Sequence, residues 1–167
     1  MLKFSIVFIL MLTIASVKSK NPNNVTKFRI YLHLFFRVPN ANAYEVARAN
    51  ITADSPTSFG LVVAGDTLIT SGLDMKTGIL GRAQGYTVYT DLNEIARKLN
   101  AEFIFTAGKY RGSSLMVLGR VNHELAIVGG TGAFRMAQGY VNSTTYLNDP
   151  RTGYILLVFD FYVISRL

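Results

Sequence analysis

From Phe28 onward the chain alternates. Phe28, Ile30, Leu32, Leu34 and Phe36 occupy every second position, with Arg29, Tyr31, His33, Phe35 and Arg37 between them. That is the period of an extended strand whose two faces meet different surroundings. The same period predicts strands over Ala43 to Ala53, Phe59 to Ala64, Leu80 to Tyr89, Ala101 to Thr106, Ser113 to Gly119, Leu125 to Val128, Phe134 to Thr145 and Tyr154 to Ile164, eight or nine strands depending on how neighbours merge. Turns are expected at Pro39-Asn40-Ala41-Asn42, Ala64-Gly65-Asp66, Lys76-Thr77-Gly78, Gly129-Gly130-Thr131-Gly132 and Asn148-Asp149-Pro150-Arg151, where residues suited to turn geometry gather.

Asp91 to Asn100 departs from this pattern. Leu92, Ile95, Ala96 and Leu99 recur at helical spacing, and Asp91 is placed to cap with Glu94 three residues on, so the segment reads as one short helix or a loop. With no second helix to supply crossovers, the sheet must be antiparallel. Strands of this spacing close into a barrel or stack as a sandwich. Tyr154 to Ile164 is apolar on both faces, with Ile155, Leu157, Phe159, Phe161 and Val163 one way and Leu156, Val158 and Tyr162 the other. Such a strand needs a core inside and cover outside, which predicts a barrel whose outer wall is an oligomer interface.

Met1 to Ser19 begins basic, runs apolar from Phe4 to Ile14 with only Ser5 and Thr13 intervening, and ends in the small residues around Ala15-Ser16. This is the form of a signal peptide cleaved after Ser19, leaving a short tail over 20–26 and one barrel domain over 27–167. A membrane anchor is the competing reading, but the run falls short of the roughly 20 apolar residues that span a bilayer. The whole chain of 167 residues is 50% hydrophobic and 16% charged, one domain's worth and too apolar for disorder. Its lack of cysteine excludes disulfides, thiolate nucleophiles and thiolate-held metals. Without the leader, 15 basic residues face 10 acidic ones, a balance that suits an acidic extracellular surround. The basic residues are scattered singly, which argues against a nucleic acid partner. Secretion to the extracellular space makes the sequons at Asn24, Asn50 and Asn142 glycosylation sites, each needing an outward side chain.

Catalytic signatures are sparse. No two acids stand at alternate positions of one strand, so spacing builds no carboxylate pair. His33 and His123 share no metal-ligand spacing, and a hydrogen-bonded histidine is the simpler account. No nucleophile elbow occurs. Gly129-Gly130-Thr131-Gly132 lacks the following Gly-Lys-Ser/Thr of a phosphate loop and reads better as an interstrand turn. No metal or cofactor is implied. What remains is a hydrophobic barrel with an aromatic-rich interior, suited to one small apolar ligand.

Leu118-Gly119-Arg120 followed by the run from His123 to Tyr140, containing Val128-Gly129-Gly130-Thr131-Gly132-Ala133-Phe134-Arg135-Met136-Ala137-Gln138-Gly139, resembles the plant dirigent family. So do Ile79 to Tyr86, Asn100 to Thr106, Gly112-Ser113-Ser114-Leu115 and Tyr31-Leu32-His33, in the same order, from about Lys27 to the C terminus. The resemblance implies an all-β, eight-stranded antiparallel β-barrel of the calycin or allene oxide cyclase kind. It also implies a secreted apoplastic protein, a homodimer or homotrimer, that directs the stereoselective coupling of phenoxy radicals such as those of coniferyl alcohol into optically active lignans. The radicals would come from an external laccase or peroxidase.

Family site positions transfer one at a time. The acid that follows His on the first strand is Leu34 here, and the paired tyrosines after the R-x-Q-G turn are Thr87 and Tyr89. The family's arginine falls at His123, its pocket threonine at or near Thr145, and Val121 and Ile155 complete the expected lining. His123 and Tyr89 are the candidates for the proton transfer that the missing acids would otherwise perform, histidine because it titrates near neutral pH. Parity puts Asn142 outward when Thr145 points inward. Rival expectations are a phenolic or terpenoid binding barrel without directing activity, an isomerase- or dehydratase-type enzyme on the same fold, and a cell-wall interaction module.

Overall fold

The computed structural model describes residues 25–37, 39 and 41–165; the leader and Asn24 lie outside them. The strands are β1 (Val25–Phe35), β2 (Ala43–Ala47), β3 (Val62–Thr70), β4 (Ile79–Tyr89), β5 (Arg97–Phe105), β6 (Ser113–Arg120), β7 (Glu124–Thr131), β8 (Gln138–Asp149) and β9 (Tyr154–Ile164). Neighbours run β1-β9-β8-β7-β6-β5-β4-β3, and pairing of β1 with β3 closes eight of them into an antiparallel barrel, with β2 added on the far part of β3. Helical structure among the described residues is confined to two 3-10 turns, Thr52–Asp54 and Gly132–Phe134.

Three expectations are corrected. Ala64-Gly65-Asp66 is not a turn but the middle of β3, where Gly65 pairs with Gly85 of β4. Of the helix or loop expected over 91–100, Asp91 to Ile95 is the loop, but Arg97 to Asn100 is neither: it joins β5, where Tyr89, Val88, Thr87 and Tyr86 offer a ladder of partners. Asp91 does cap the loop, its carboxylate accepting the Asn93 and Glu94 N–H groups at 2.8 and 3.1 Å. Finally, Gly129 to Thr131 are not an interstrand turn but the end of β7, paired with Met116, Leu115 and Ser114 of β6, and the turn begins only at Gly132.

Two devices close the seam between β1 and β3. Only Tyr31, Leu32 and His33 pair with Thr70, Ile69 and Leu68. Beyond them the strands part, and Asn42 fills the gap. Its side chain accepts the Phe35 N–H at 2.9 Å and donates to the His33 carbonyl at 2.8 Å, while its own carbonyl accepts the Asp66 N–H at 2.9 Å. On the outer face, His33 is fully buried and its ring joins Thr70 and Tyr154, each at 2.8 Å. The Thr70 hydroxyl donates to the Gly72 carbonyl at 2.6 Å, so it accepts from His33 Nε2–H, and Nδ1 accepts the Tyr154 O–H. The neutral imidazole thus ties together β1, β3 and β9.

The lumen has two unlike ends. At one, Phe28 stacks on Phe161 with centroids 4.9 Å apart, Phe103 meets Phe161 at 5.2 Å, and Phe134 packs on Tyr110 and Phe105 at 4.7 and 5.7 Å. Rings in these stacked, tilted and edge-on contacts fill that end of the lumen. The glycine run before Phe134 serves this plug. A Cβ on Gly130 would stand 2.8 Å from Phe134 Cβ and 2.5 Å from the Ser114 carbonyl, and Gly132 has a φ of +57° that starts the turn.

Burial holds the His33 pKa below its ordinary value of 6.5, outweighing the opposing effect of Asp74. As pH falls below 6.5 the unfolded chain takes up this proton while the folded chain resists it, so stability present above that pH is lost on acidification. Thermal melting measured between pH 7.5 and 5 is expected to show a falling Tm, with a shallower fall in His33→Gln.

Candidate functional site

The open end of the barrel is hollow because small residues line up across it. Ala43 of β2 pairs with Gly65 of β3, Gly65 with Gly85 of β4, and Gly85 with Ala101 of β5. Four neighbouring strands therefore present a row with almost no side-chain volume. All four residues line a half-enclosed cavity of about 100 Å³. Its floor is Phe159, which also packs on Phe103 of the plug at 5.3 Å. Leu32, Leu34 and Phe36 of the β1 side and Ile155 and Leu157 of β9 form the opposite wall.

Polar groups are few, and Thr67 lies deep in the lumen, buried opposite Ala83. Thr67, Thr87, Tyr89 and Arg97 line the cavity, and Arg97 stands directly opposite Tyr89 in the β4–β5 pairing. Among the described residues no carboxylate is in the lining, and no group of three or more His, Cys, Asp or Glu residues gathers to hold a metal. Nearby acids are engaged elsewhere. The Asn93 and Glu94 N–H groups hold the Asp91 pKa low, and Glu94 pairs with Arg120 at 2.7 Å.

Leu34, Thr87, Tyr89, Val121 and Ile155 are brought together in this lining. His123 and Thr145 are not, which corrects their expected placement. The turn after β6 puts Val121 inside, at 7% exposure, and leaves His123 exposed. Asn122, with a left-handed φ of 67°, forms the bend. His123 takes part through its backbone, its N–H donating to the Arg120 carbonyl at 3.2 Å and its carbonyl accepting the Ser143 hydroxyl at 3.2 Å, and the Thr145 hydroxyl donates to Asn122 Oδ1 at 2.9 Å. Both residues therefore brace the β6–β7 turn against β8. Asn50 and Asn142 are exposed.

The glycine and alanine row and Arg97 went unnoticed in the sequence. The row's signal is a glycine at an inward position of an alternating strand, a mark of hollowing as well as of turning. Arg97 shares the parity of Leu99, Ala101, Phe103 and Phe105, and counting back along that strand places it inside.

The barrel is thus closed and antiparallel, packed with aromatic rings at one end and hollow and apolar at the other. The sequence profile described as "Dirigent-like protein" matches residues 25–164. The chain is 36% identical over 136 residues to dirigent protein 23 of Arabidopsis thaliana, covering 78% of this chain and 73% of that one. It is 35% identical over 145 residues to pterocarpan synthase 1 of Glycine max, covering 80% and 77%. The solved structure of the pterocarpan synthase dirigent protein GePTS1 superposes with a TM-score of 0.75 at 32% identity over 83% of each chain. This chain belongs to the dirigent family.

Gly65 and Gly85 separate volume from architecture. A Cβ on Gly65 meets nothing closer than 3.6 Å, whereas one on Gly85 would stand 2.1 Å from the Asn100 carbonyl and 2.7 Å from Ala101 Cα. Gly65→Leu is expected to keep the fold and weaken uptake of a small phenol by about tenfold or more in a titration, about 1.4 kcal/mol. Gly85→Ala is expected to cost about 1–3 kcal/mol in denaturant unfolding through backbone displacement.

Proposed function

We propose that this chain seats the aromatic ring of a phenolic guest in the open half of its barrel and sets the stereochemistry of a bond that the guest forms at the mouth. The observation that carries this reading is the apolar cavity, about 100 Å³, closed below by Phe159 and open above. A cavity of about 150 Å³ lined by Leu, Ile and Phe takes up one benzene ring, so a volume of this order suits one ring, with the guest's side chain and its coupling partner outside. Each phenol loses one electron and one proton to an external laccase or peroxidase, and two radicals pair their unpaired electrons in one C–C bond. Held against the β1 and β9 wall, the seated radical offers one face. A difference of about 1.4 kcal/mol between approaches gives roughly tenfold selectivity. With Leu34 in place of an acid and Tyr89 and Thr87 as the neutral polar contacts, orientation carries the activity rather than proton transfer.

The similarity to proteins named pterocarpan synthase favours a second reading, a ring-forming or dehydrating step on a quinone methide, for which Tyr89 is the hydroxyl donor in the lining. One assay separates them. Coniferyl alcohol is oxidised by a one-electron oxidant with and without the protein, and products are resolved by chiral chromatography. Enantiomeric excess that appears only with the protein, and is lost in Gly65→Leu, is the expected result. Racemic product, together with turnover of a quinone-methide precursor without oxidant, supports the second reading.

We further propose that the protein is secreted to the apoplast, through the leader over 1–19, and glycosylated at Asn24 and Asn50; Asn142 shares the outer face of β8 with Tyr140, so a glycan there and association through that face exclude each other. We propose also that copies associate through the outer face of β6 to β9. There Leu118 pairs with Ala126, Ala126 with Tyr140, and Tyr140 with Tyr162, beside the exposed Met116 and Val128. Light scattering is expected to give a dimer or trimer for the native chain and a monomer for Leu118→Glu.

A further inference from the structure

The cavity carries one charge, and among the described residues no acid pairs with it. Arg97 is the sole charged residue in the lining among the described residues. The strand's alternation turns it inward together with Leu99 and Ala101, and its carbonyl accepts the Val121 N–H at 2.9 Å, which fixes the base of the side chain at the rim. Tyr89 stands directly across from it in the β4–β5 pair. The ion pairs among the described residues leave Arg97 out, because Glu94, the acid of the adjoining loop, belongs to Arg120. Asp91 spends its carboxylate on two backbone N–H groups of the same loop.

The half-buried Arg97 guanidinium stands at the rim of an apolar hollow with no ion-pair partner among the described residues. Its planar fork matches a carboxylate with two parallel hydrogen bonds, which are stronger where water is partly excluded. We infer that Arg97 makes this cavity selective for a guest that carries a carboxylate: an aromatic acid whose ring enters the hollow while its acid group stays at the rim, in preference to the neutral alcohol or ester of the same skeleton. The inference rests on the reading that the hollow takes an aromatic ring, and it adds the functional group at the guest's other end. Tyr89 is placed to contribute a further hydroxyl donor to the same carboxylate.

The test is calorimetric titration of the full secreted chain with 4-hydroxy-3-methoxycinnamate, its methyl ester and the corresponding cinnamyl alcohol. The acid is expected to bind about tenfold or more tightly than the ester or the alcohol, as a charge-assisted bidentate pair requires. In Arg97→Gln the three affinities are expected to converge within about twofold, through loss of acid binding alone, while Arg97→Lys keeps part of the preference. Thermal melting of both variants checks that the barrel is intact, and an unfolded Gln variant leaves the Lys variant and the acid-to-ester ratio of the native chain to decide. Equal binding of acid and ester by the native chain, or a preference undiminished in Arg97→Gln, overturns the charge selectivity alone. Failure of all three to bind overturns the aromatic-guest reading and this inference with it.

Discussion

Everything in this barrel depends on a short seam. A sheet that does not close has two edges of unpaired backbone groups and no enclosed lumen. Here closure rests on three residue pairs between β1 and β3. So brief a ladder needs reinforcement, and it comes from outside and above. His33 binds Thr70 and Tyr154 on the outer face, and Asn42 bridges the strands where they diverge. Burial also pushes the Tyr154 pKa up, so the phenol keeps the proton that it donates to His33. The histidine is thus a structural fastener in its neutral form, which is why it needs no metal and no partner acid.

Closure sets the circumference, and side-chain volume decides what the circumference encloses. Phe28, Phe103, Phe105, Phe134 and Phe161 fill one end, and the aligned Ala43, Gly65, Gly85 and Ala101 empty the other. Phe159 belongs to both, as part of the aromatic packing and as the floor of the hollow. Burial of the phenyl rings, worth about 1.5–3 kcal/mol each, is concentrated away from the hollow. The open end can therefore stay hollow without loss of the interactions that hold the fold. The glycine-rich run ending in Phe134 serves the packed end, so the most recognisable stretch of the chain is about folding rather than chemistry.

The strands of this fold are legible in the sequence wherever alternation is strong, as in β1 and β9, because a half-buried strand imposes its period directly. Residues that serve two purposes mislead. Gly65 suits a turn as well as the wall of a hollow, and only its pairing with Gly85 distinguishes them. Leu92, Ile95, Ala96 and Leu99 carry a helical spacing, yet β4 supplies partners for Arg97 onward, and tertiary pairing overrides a weak local preference. Of the site, Leu34, Thr87, Tyr89, Val121 and Ile155 were placed by position, and the structure gathers them in one lining. His123 and Thr145 sit at a tight turn, where a one-residue change of direction decides between inside and outside. The row of small residues and Arg97 become visible only when strand parity is counted across neighbours.

A barrel divided in this way separates what must be inherited intact from what is free to vary. At Gly65, where a Cβ meets nothing nearer than 3.6 Å, added volume reshapes the hollow while the phenylalanine end continues to specify the same circle of strands. At Gly85, on the neighbouring strand, the same single carbon would strike the Asn100 carbonyl, so the hollow can be refilled from one wall and not from the one beside it.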